Sequence, residues 1–256
     1  MINKEKLVLG DIPVICCYDD SGGKRPVLIM SHGFKGSKES FERKGSIYSF
    51  AQAGFFVLSM DNRFHGEREG DDFKKVLMNE DEQLNIFETR KAIKATAEDM
   101  SALLDMVSDN QFADSENAAV LGVSMGGFAA YSAVVNDKRI KAAAPIIASP
   151  YWDDIPGDMP EITYKSTAEE LMVYSKNYQP ASYINQFYPT SILMQIGDND
   201  AHYRPDRVRQ FYNSLKTLYK DAPDNVRLKL YKWTEHNCTD EMMDSAYRWL
   251  SESMIK

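Results

Sequence analysis

Residues 118–135 read AAVLGVSMGGFAAYSAVV, and the order of elements within this stretch decides the fold. The run 118–123 is apolar throughout, the pattern of a strand covered on both faces. Residues 125–135 are small and apolar and continue as a helix. Between them stands Gly122-Val123-Ser124-Met125-Gly126-Gly127, which matches Gly-x-Ser-x-Gly. Side chains two residues before and after the serine would strike the neighbouring strand and helix. Glycine on both sides therefore marks a sharp strand-to-helix turn that lifts the serine hydroxyl above the sheet. The string is not a dinucleotide fingerprint, because Ser124 and Met125 occupy the wrong positions.

The same alternation extends in both directions. Residues 4–9 and 12–18 form two strand-like runs around Gly10-Asp11, a predicted antiparallel hairpin. Buried strands are predicted at 26–30, 55–60, 142–148, 191–196 and 226–233, and helices at 39–53, 83–108, 205–219 and from Thr239 onward. In the segment 83–108, Ile93, Ala97, Met100, Leu104 and Val107 recur at spacings of four and three, one apolar helical face. Strands alternating with helices imply right-handed crossovers and a mostly parallel sheet with helices on both faces. Residues 150–187 interrupt the rhythm with Pro150, Pro156, Pro160 and Pro180 and many aromatics, the composition of a small helical cap inserted into one α/β domain spanning 1–256.

The chain of 256 residues is 43% hydrophobic and 27% charged, an ordinary globular balance, and carries a net charge of −8 from 30 basic and 38 acidic residues. That balance leaves no footprint for nucleic acid and no polybasic membrane contact. No apolar run approaches a membrane span, and the N-terminus lacks the apolar core of a signal peptide. Cys16, Cys17 and Cys238 are too few for a disulfide framework, and no Cys or His pair stands at metal-ligand spacing. A cytoplasmic protein with reduced thiols, no metal and no cofactor is expected.

The elbow around Ser124 resembles that of the α/β-hydrolases. The resemblance implies an activated serine followed along the chain by an acid and then a histidine. A serine hydroxyl is a poor nucleophile until a base takes its proton, and the base needs a third group to orient it. His32 and His65 precede Ser124, which leaves His202 and His236. His236 follows the predicted strand 226–233 and precedes the last helix, where the catalytic histidine belongs. His202 stands only two residues beyond Asp200. Gly197-Asp198-Asn199-Asp200 resembles the Gly-x-x-Asp segment of the superfamily, which implies Asp200 as the acid, with Asp198 as the alternative. Ser31-His32-Gly33-Phe34 resembles the His-Gly-aromatic segment whose residue after glycine donates its backbone N–H to an oxyanion. Phe34 and Met125 are thus the implied donors, and His32 is read as a structural pin of the loop.

Asp61-Asn62-Arg63-Phe64-His65-Gly66-Glu67-Arg68 is similar to the Arg-x-His-Gly and His-Gly-Glu-Arg loops of small bacterial serine esterases related to dienelactone hydrolases and the prolyl oligopeptidase catalytic domain. The likeness covers nearly the whole chain as an order of motifs, residues 150–187 excepted. The sequence has serine where dienelactone hydrolases use cysteine, and no propeller segment like that of prolyl oligopeptidases. His65 and Arg68 either anchor this loop or bind substrate. The resemblance implies a hydrolase acting on a small-molecule carboxylic ester of small or medium acyl size. The alternatives are a thioesterase or small peptidase on the same machinery, or a ligand-binding relative with little turnover. Tyr151 and Trp152, nearest the end of the strand 142–148, are expected to wall the acyl pocket.

Overall fold

The computed structural model describes residues 1–70, 76–78, 85–153 and 168–255. Among the described residues, eight strands form a single sheet: β1 (Ile2–Leu9), β2 (Ile12–Asp19), β3 (Arg25–Ser31), β4 (Phe56–Met60), β5 (Ala113–Val123), β6 (Ile140–Ile146), β7 (Ser191–Gly197) and β8 (Val226–Tyr231). Their spatial order is β1-β2-β4-β3-β5-β6-β7-β8. The β1–β2 hairpin is antiparallel, β2 runs antiparallel to β4, and every later pairing is parallel.

The helices are α1 (Glu39–Arg43), α2 (Ser46–Ala53), α3 (Ile86–Met106), α4 (Met125–Asn136), α5 (Ala168–Tyr178), α6 (Pro205–Leu218) and α7 (Asp240–Met254). Successive side chains of a strand point to opposite faces, so each central strand feeds two cores. Val27 and Ile29 of β3 join Ile93, Phe128 and Phe211 from α3, α4 and α6 on one face. Leu28 and Met30 join Phe50, Met242 and Trp249 from α2 and α7 on the other. Each such aliphatic side chain, taken fully out of water, contributes about 2 kcal/mol.

Differences from the sequence reading are local. The predicted helix 39–53 is two helices, because Gly45 turns left-handed with φ 75° between α1 and α2. The last strand stops at Tyr231, since Trp233 takes a φ of 58° that no strand accommodates. The helix predicted over 83–108 begins at Ile86, where the Asn85 side chain accepts the Glu88 N–H and caps it. Residues 154–167 of the expected insertion lie outside the described residues; the rest of it holds α5 and a 3-10 segment, Pro180–Gln186. Among the described residues no helix is long and apolar enough to cross a membrane.

Candidate active site

Ser124 sits between β5 and α4 with φ 51° and ψ −115°, a conformation that costs about 1–3 kcal/mol for a residue with a side chain. The turn is held by backbone bonds: the Ser124 N–H donates to the Ile146 carbonyl (2.9 Å) and the Gly126 N–H to the His32 carbonyl (3.1 Å). A Cβ on Gly122 would stand 2.0 Å from the Gly126 carbonyl oxygen, and one on Gly126 would stand 2.1 Å from that of Ser31. Those contacts are with backbone and cannot yield. Here is the physical content of the two motif glycines.

Ser124 Oγ lies 2.9 Å from His236 Nε2, and His236 Nδ1 lies 2.8 Å from Asp200 Oδ2. The Asp200 side chain is buried, and its Oδ1 accepts the N–H groups of His202 (2.9 Å) and Tyr203 (3.0 Å). A carboxylate only accepts, so Nδ1 carries the imidazole proton and Nε2 turns its lone pair to the serine hydroxyl. His202 stacks on His236 with ring centroids 4.4 Å apart, and Tyr203 meets the same ring at 5.4 Å. The structure thus brings together Ser124, Asp200 and His236 from the ends of three separate strands.

Asp198 does something else. It is exposed, and its Oδ1 accepts the Trp233 N–H at 2.7 Å. The Asn199 N–H donates to the Thr234 carbonyl (3.1 Å), and a Cβ on Gly197 would fall 2.0 Å from that same carbonyl oxygen. The loop carrying Asp200 and the loop carrying His236 are therefore clamped directly to each other. Cys238, two residues beyond His236, has its thiol pushed up to about 11 by burial, so it remains protonated at neutral pH.

The loop after β3 is equally well held. His32 is buried; its Nδ1 bonds the Gly33 carbonyl (2.8 Å), and its Nε2 accepts the Asn62 N–H (3.1 Å). The Asn62 side chain donates to the His32 carbonyl (2.8 Å) and accepts from Ser31 Oγ (2.7 Å). A Cβ on Gly33 would stand 3.6 Å from Ser124 Cβ, so this loop passes beside the serine. Phe34, next along, meets the edge of His65 at 5.3 Å. Met125 opens α4, so its N–H has no acceptor within the helix.

Burial also pushes His32 down to about 4, because the imidazolium would lose its hydration. The folded value thus lies below the unfolded value of roughly 6.5. Between the two, the unfolded chain binds a proton that the folded chain refuses, so stability is complete above that window and falls as pH drops through it. Protonated Nε2 would also face the Asn62 N–H, donor against donor. A loss of about 3 kcal/mol between pH 6.5 and 4 is expected from this group. Urea melts across that range check it: wild type should weaken more steeply with acid than His32→Asn, and equal slopes would reject the assignment.

The 61–68 loop is an anchor. Arg68 pairs with Asp11 (3.1 Å) and Asp99 (2.7 Å), and Arg63 pairs with the same two carboxylates at 3.0 and 2.6 Å. These bonds tie the loop to the β1–β2 turn and to α3. Lys38 is buried with its ammonium 2.7 Å from both Asp61 and Glu67. Nothing along the chain marks Lys38, Asp61 or Asn62 for these contacts. Asp61 and Asn62 directly follow β4 and Lys38 directly precedes α1, but polar residues at such places do not name their partners.

Tyr151 and Trp152 part company. Trp152 is fully buried in the core, stacked on Tyr174, with its backbone N–H on Gln179 Oε1 (3.0 Å) and its carbonyl accepting from Arg90 (3.2 Å). Tyr151 is half-buried, with the Arg207 guanidinium 4.0 Å over its ring. Tyr151 is therefore the one of the two with surface to offer a ligand.

The sequence profile described as the prolyl oligopeptidase family matches residues 40–254, from α1 through α7. Esterase YjfP of Escherichia coli is 21% identical over 270 residues, which cover 99% of this chain and 100% of the relative. The crystal structure of TT1662 from Thermus thermophilus superposes with a TM-score of 0.75 at 18% identity, covering 100% of this chain and 99% of that one. The esterase Pf2001 of Pyrococcus furiosus gives 0.65 at 20% identity, over 99% and 93% of the two chains. The chain has the α/β-hydrolase fold and belongs to the prolyl oligopeptidase family, among esterase-like hydrolases.

Proposed function

We propose that the protein is a serine hydrolase that cleaves carboxylic esters of small or medium acyl groups through an acyl-enzyme. The observation that carries the reading is the relay Ser124 Oγ–His236 Nε2, His236 Nδ1–Asp200 Oδ2, at 2.9 and 2.8 Å. In this mechanism Ser124 attacks the ester carbonyl while His236 takes the hydroxyl proton. The backbone N–H groups of Phe34 and Met125 receive the developing oxyanion. His236 then hands its proton to the departing alcohol. Water, deprotonated by the same imidazole, attacks the acyl-Ser124 ester and restores the serine. Asp200 keeps Nδ1–H in place throughout and stabilises the imidazolium.

An ester is favoured over an amide by the relatives whose names are esterases, YjfP and Pf2001, at low identity. A cytoplasmic location is part of the proposal, supported by three free thiols, two of them buried. The test is pre-steady-state hydrolysis of chromogenic esters beside the matching thioesters and arylamides. A burst of product equal to the enzyme concentration is expected with esters, undiminished by EDTA. Steady turnover of arylamides without ester cleavage would overturn the ester assignment.

We place selectivity for acyl length at Tyr151. Tyr151→Ala is expected to change the ranking of kcat/KM across acyl lengths by a few-fold or more, since each methylene in such a pocket is worth about 1–3 kcal/mol. Trp152→Ala is expected to act on stability, at a cost of about 3–5 kcal/mol for emptying a fully buried site. An unchanged ranking in Tyr151→Ala would move selectivity elsewhere.

A further inference from the structure

Asp200 and His202 leave β7 on one loop, and His236 follows β8 on the next. Each of the three side chains offers a ligand atom, and these atoms lie within 4.8 Å of one another. Two imidazoles and one carboxylate form a donor set suited to borderline divalent cations such as zinc, and poorly suited to the hard, oxygen-seeking magnesium. We propose that Asp200, His202 and His236 form an inhibitory site for a zinc-like divalent cation, filled at the expense of the base. The inhibitory consequence rests on the reading of His236 as the base for Ser124; the binding site itself does not.

Filling the site requires the His202 side chain to rearrange. Zinc holds nitrogen and oxygen ligands at about 2.0–2.2 Å, which sets neighbouring ligand atoms roughly 3.3 Å apart. The His202 ring is half-buried and now lies nearly parallel to His236, at 22°. Its ring must turn out of the stack to aim a nitrogen at the shared point. Its backbone N–H is fixed on Asp200 Oδ1, so the turn uses the side-chain torsions and leaves the loop in place. The second carboxylate oxygen, Oδ2, already faces His236. The carboxylate and a chain charge of −8 both favour a cation here.

Inhibition follows from counting lone pairs. A neutral imidazole has one. With Nδ1–H on Asp200, that lone pair is at Nε2 and faces Ser124. A cation taking Nδ1 sends the ring proton to Nε2, which then donates toward Ser124 Oγ. A cation taking Nε2 occupies the place of the hydroxyl. In either arrangement no lone pair remains to accept the serine proton. Nothing is oxidised or reduced, and the His236 proton only moves between its own nitrogens.

The experiment pairs kinetics with calorimetry in a non-chelating buffer. Ester hydrolysis is measured against sub-millimolar ZnCl2 and MgCl2 for wild type, His202→Ala and His202→Phe, the last keeping a ring against His236. ZnCl2 is also titrated calorimetrically into Ser124→Ala and into Ser124→Ala/His202→Ala. Zinc should inhibit wild type reversibly, with EDTA restoring activity and magnesium without effect. Both His202 variants should need at least roughly tenfold more zinc for half-inhibition, each judged against its own zinc-free rate. The calorimetric site in Ser124→Ala should weaken by the same factor when His202 is also removed. Zinc inhibition that is equally strong in the His202 variants, or equal inhibition by magnesium, would overturn the proposal. If ester hydrolysis itself is absent, the calorimetric pair alone decides the site: loss with His202→Ala supports it, and no change refutes it.

Discussion

Ser124→Ala is expected to remove the proposed ester hydrolysis, with a fall in kcat of about 10^4 to 10^6-fold, while the protein keeps its fold. The two halves of this expectation have separate physical grounds. Activity goes because the only atom deleted is Oγ, the group 2.9 Å from the lone pair of His236. The fold stays because the turn is made by other atoms: the Ser124 N–H on the Ile146 carbonyl, the Gly126 N–H on the His32 carbonyl, and the bare Cα atoms of Gly122 and Gly126. Alanine carries the same Cβ at the same φ of 51°, so the substitution neither relieves nor adds backbone strain. A serine-directed organophosphonate should label wild type once and the variant not at all, with unchanged urea midpoints. Labelling that survives in Ser124→Ala would remove this residue from the mechanism.

Asp200→Asn is expected to lower kcat by about 10^4-fold, far more than Asp198→Asn. The reason lies in how the carboxylate is held. Oδ1 of Asp200 accepts two backbone N–H groups, from His202 and Tyr203. In the asparagine variant only the carbonyl oxygen satisfies those donors, which turns the amide NH2 toward His236 Nδ1. The imidazole must then accept at Nδ1 and carry its proton on Nε2, so its lone pair faces away from the serine. The fold is spared, since the backbone bonds to Oδ1 persist. Asp198→Asn retains an oxygen for the Trp233 N–H, so the clamp between the two loops survives at a cost within about 1 kcal/mol. The decisive comparison is kcat for the two variants at equal folded fraction. A larger fall for Asp198→Asn would shift the acid by two residues and undo the relay described above.

Both variants act on groups that the core positions at the ends of its strands. Ser124, Asp200 and His236 follow β5, β7 and β8, neighbouring or near-neighbouring parallel strands whose carboxyl ends share one edge. The side chains that set this edge, such as Val120, Met194 and Leu121, are buried in the two helix-covered faces. Volume changes there would disturb all three groups together.

Features that depend on neighbours along the chain are legible in the residues alone. The alternation of apolar runs and helical faces gives the α/β class, because periods of two and of about 3.6 are properties of the local backbone. The spacing Gly122-x-Ser124-x-Gly126 gives the turn, since the clashes it avoids lie within four residues or on the adjacent strand. The order serine, acid, histidine singles out candidates but leaves Asp198 and Asp200 two residues apart and chemically alike. Folding gives the two carboxylates different surroundings: Asp200 faces His236, and Asp198 accepts the Trp233 backbone N–H. It also decided that Trp152 lies in the core, that Arg68 is held by Asp11 and Asp99, and that His202 stacks on His236. Each of these depends on where loops from distant strands converge, a distance in space that spacing along the chain does not carry. A buried polar side chain such as Lys38 looks in sequence like any solvated lysine; its meaning came from Asp61 and Glu67, brought beside it by β4 and the loop that follows.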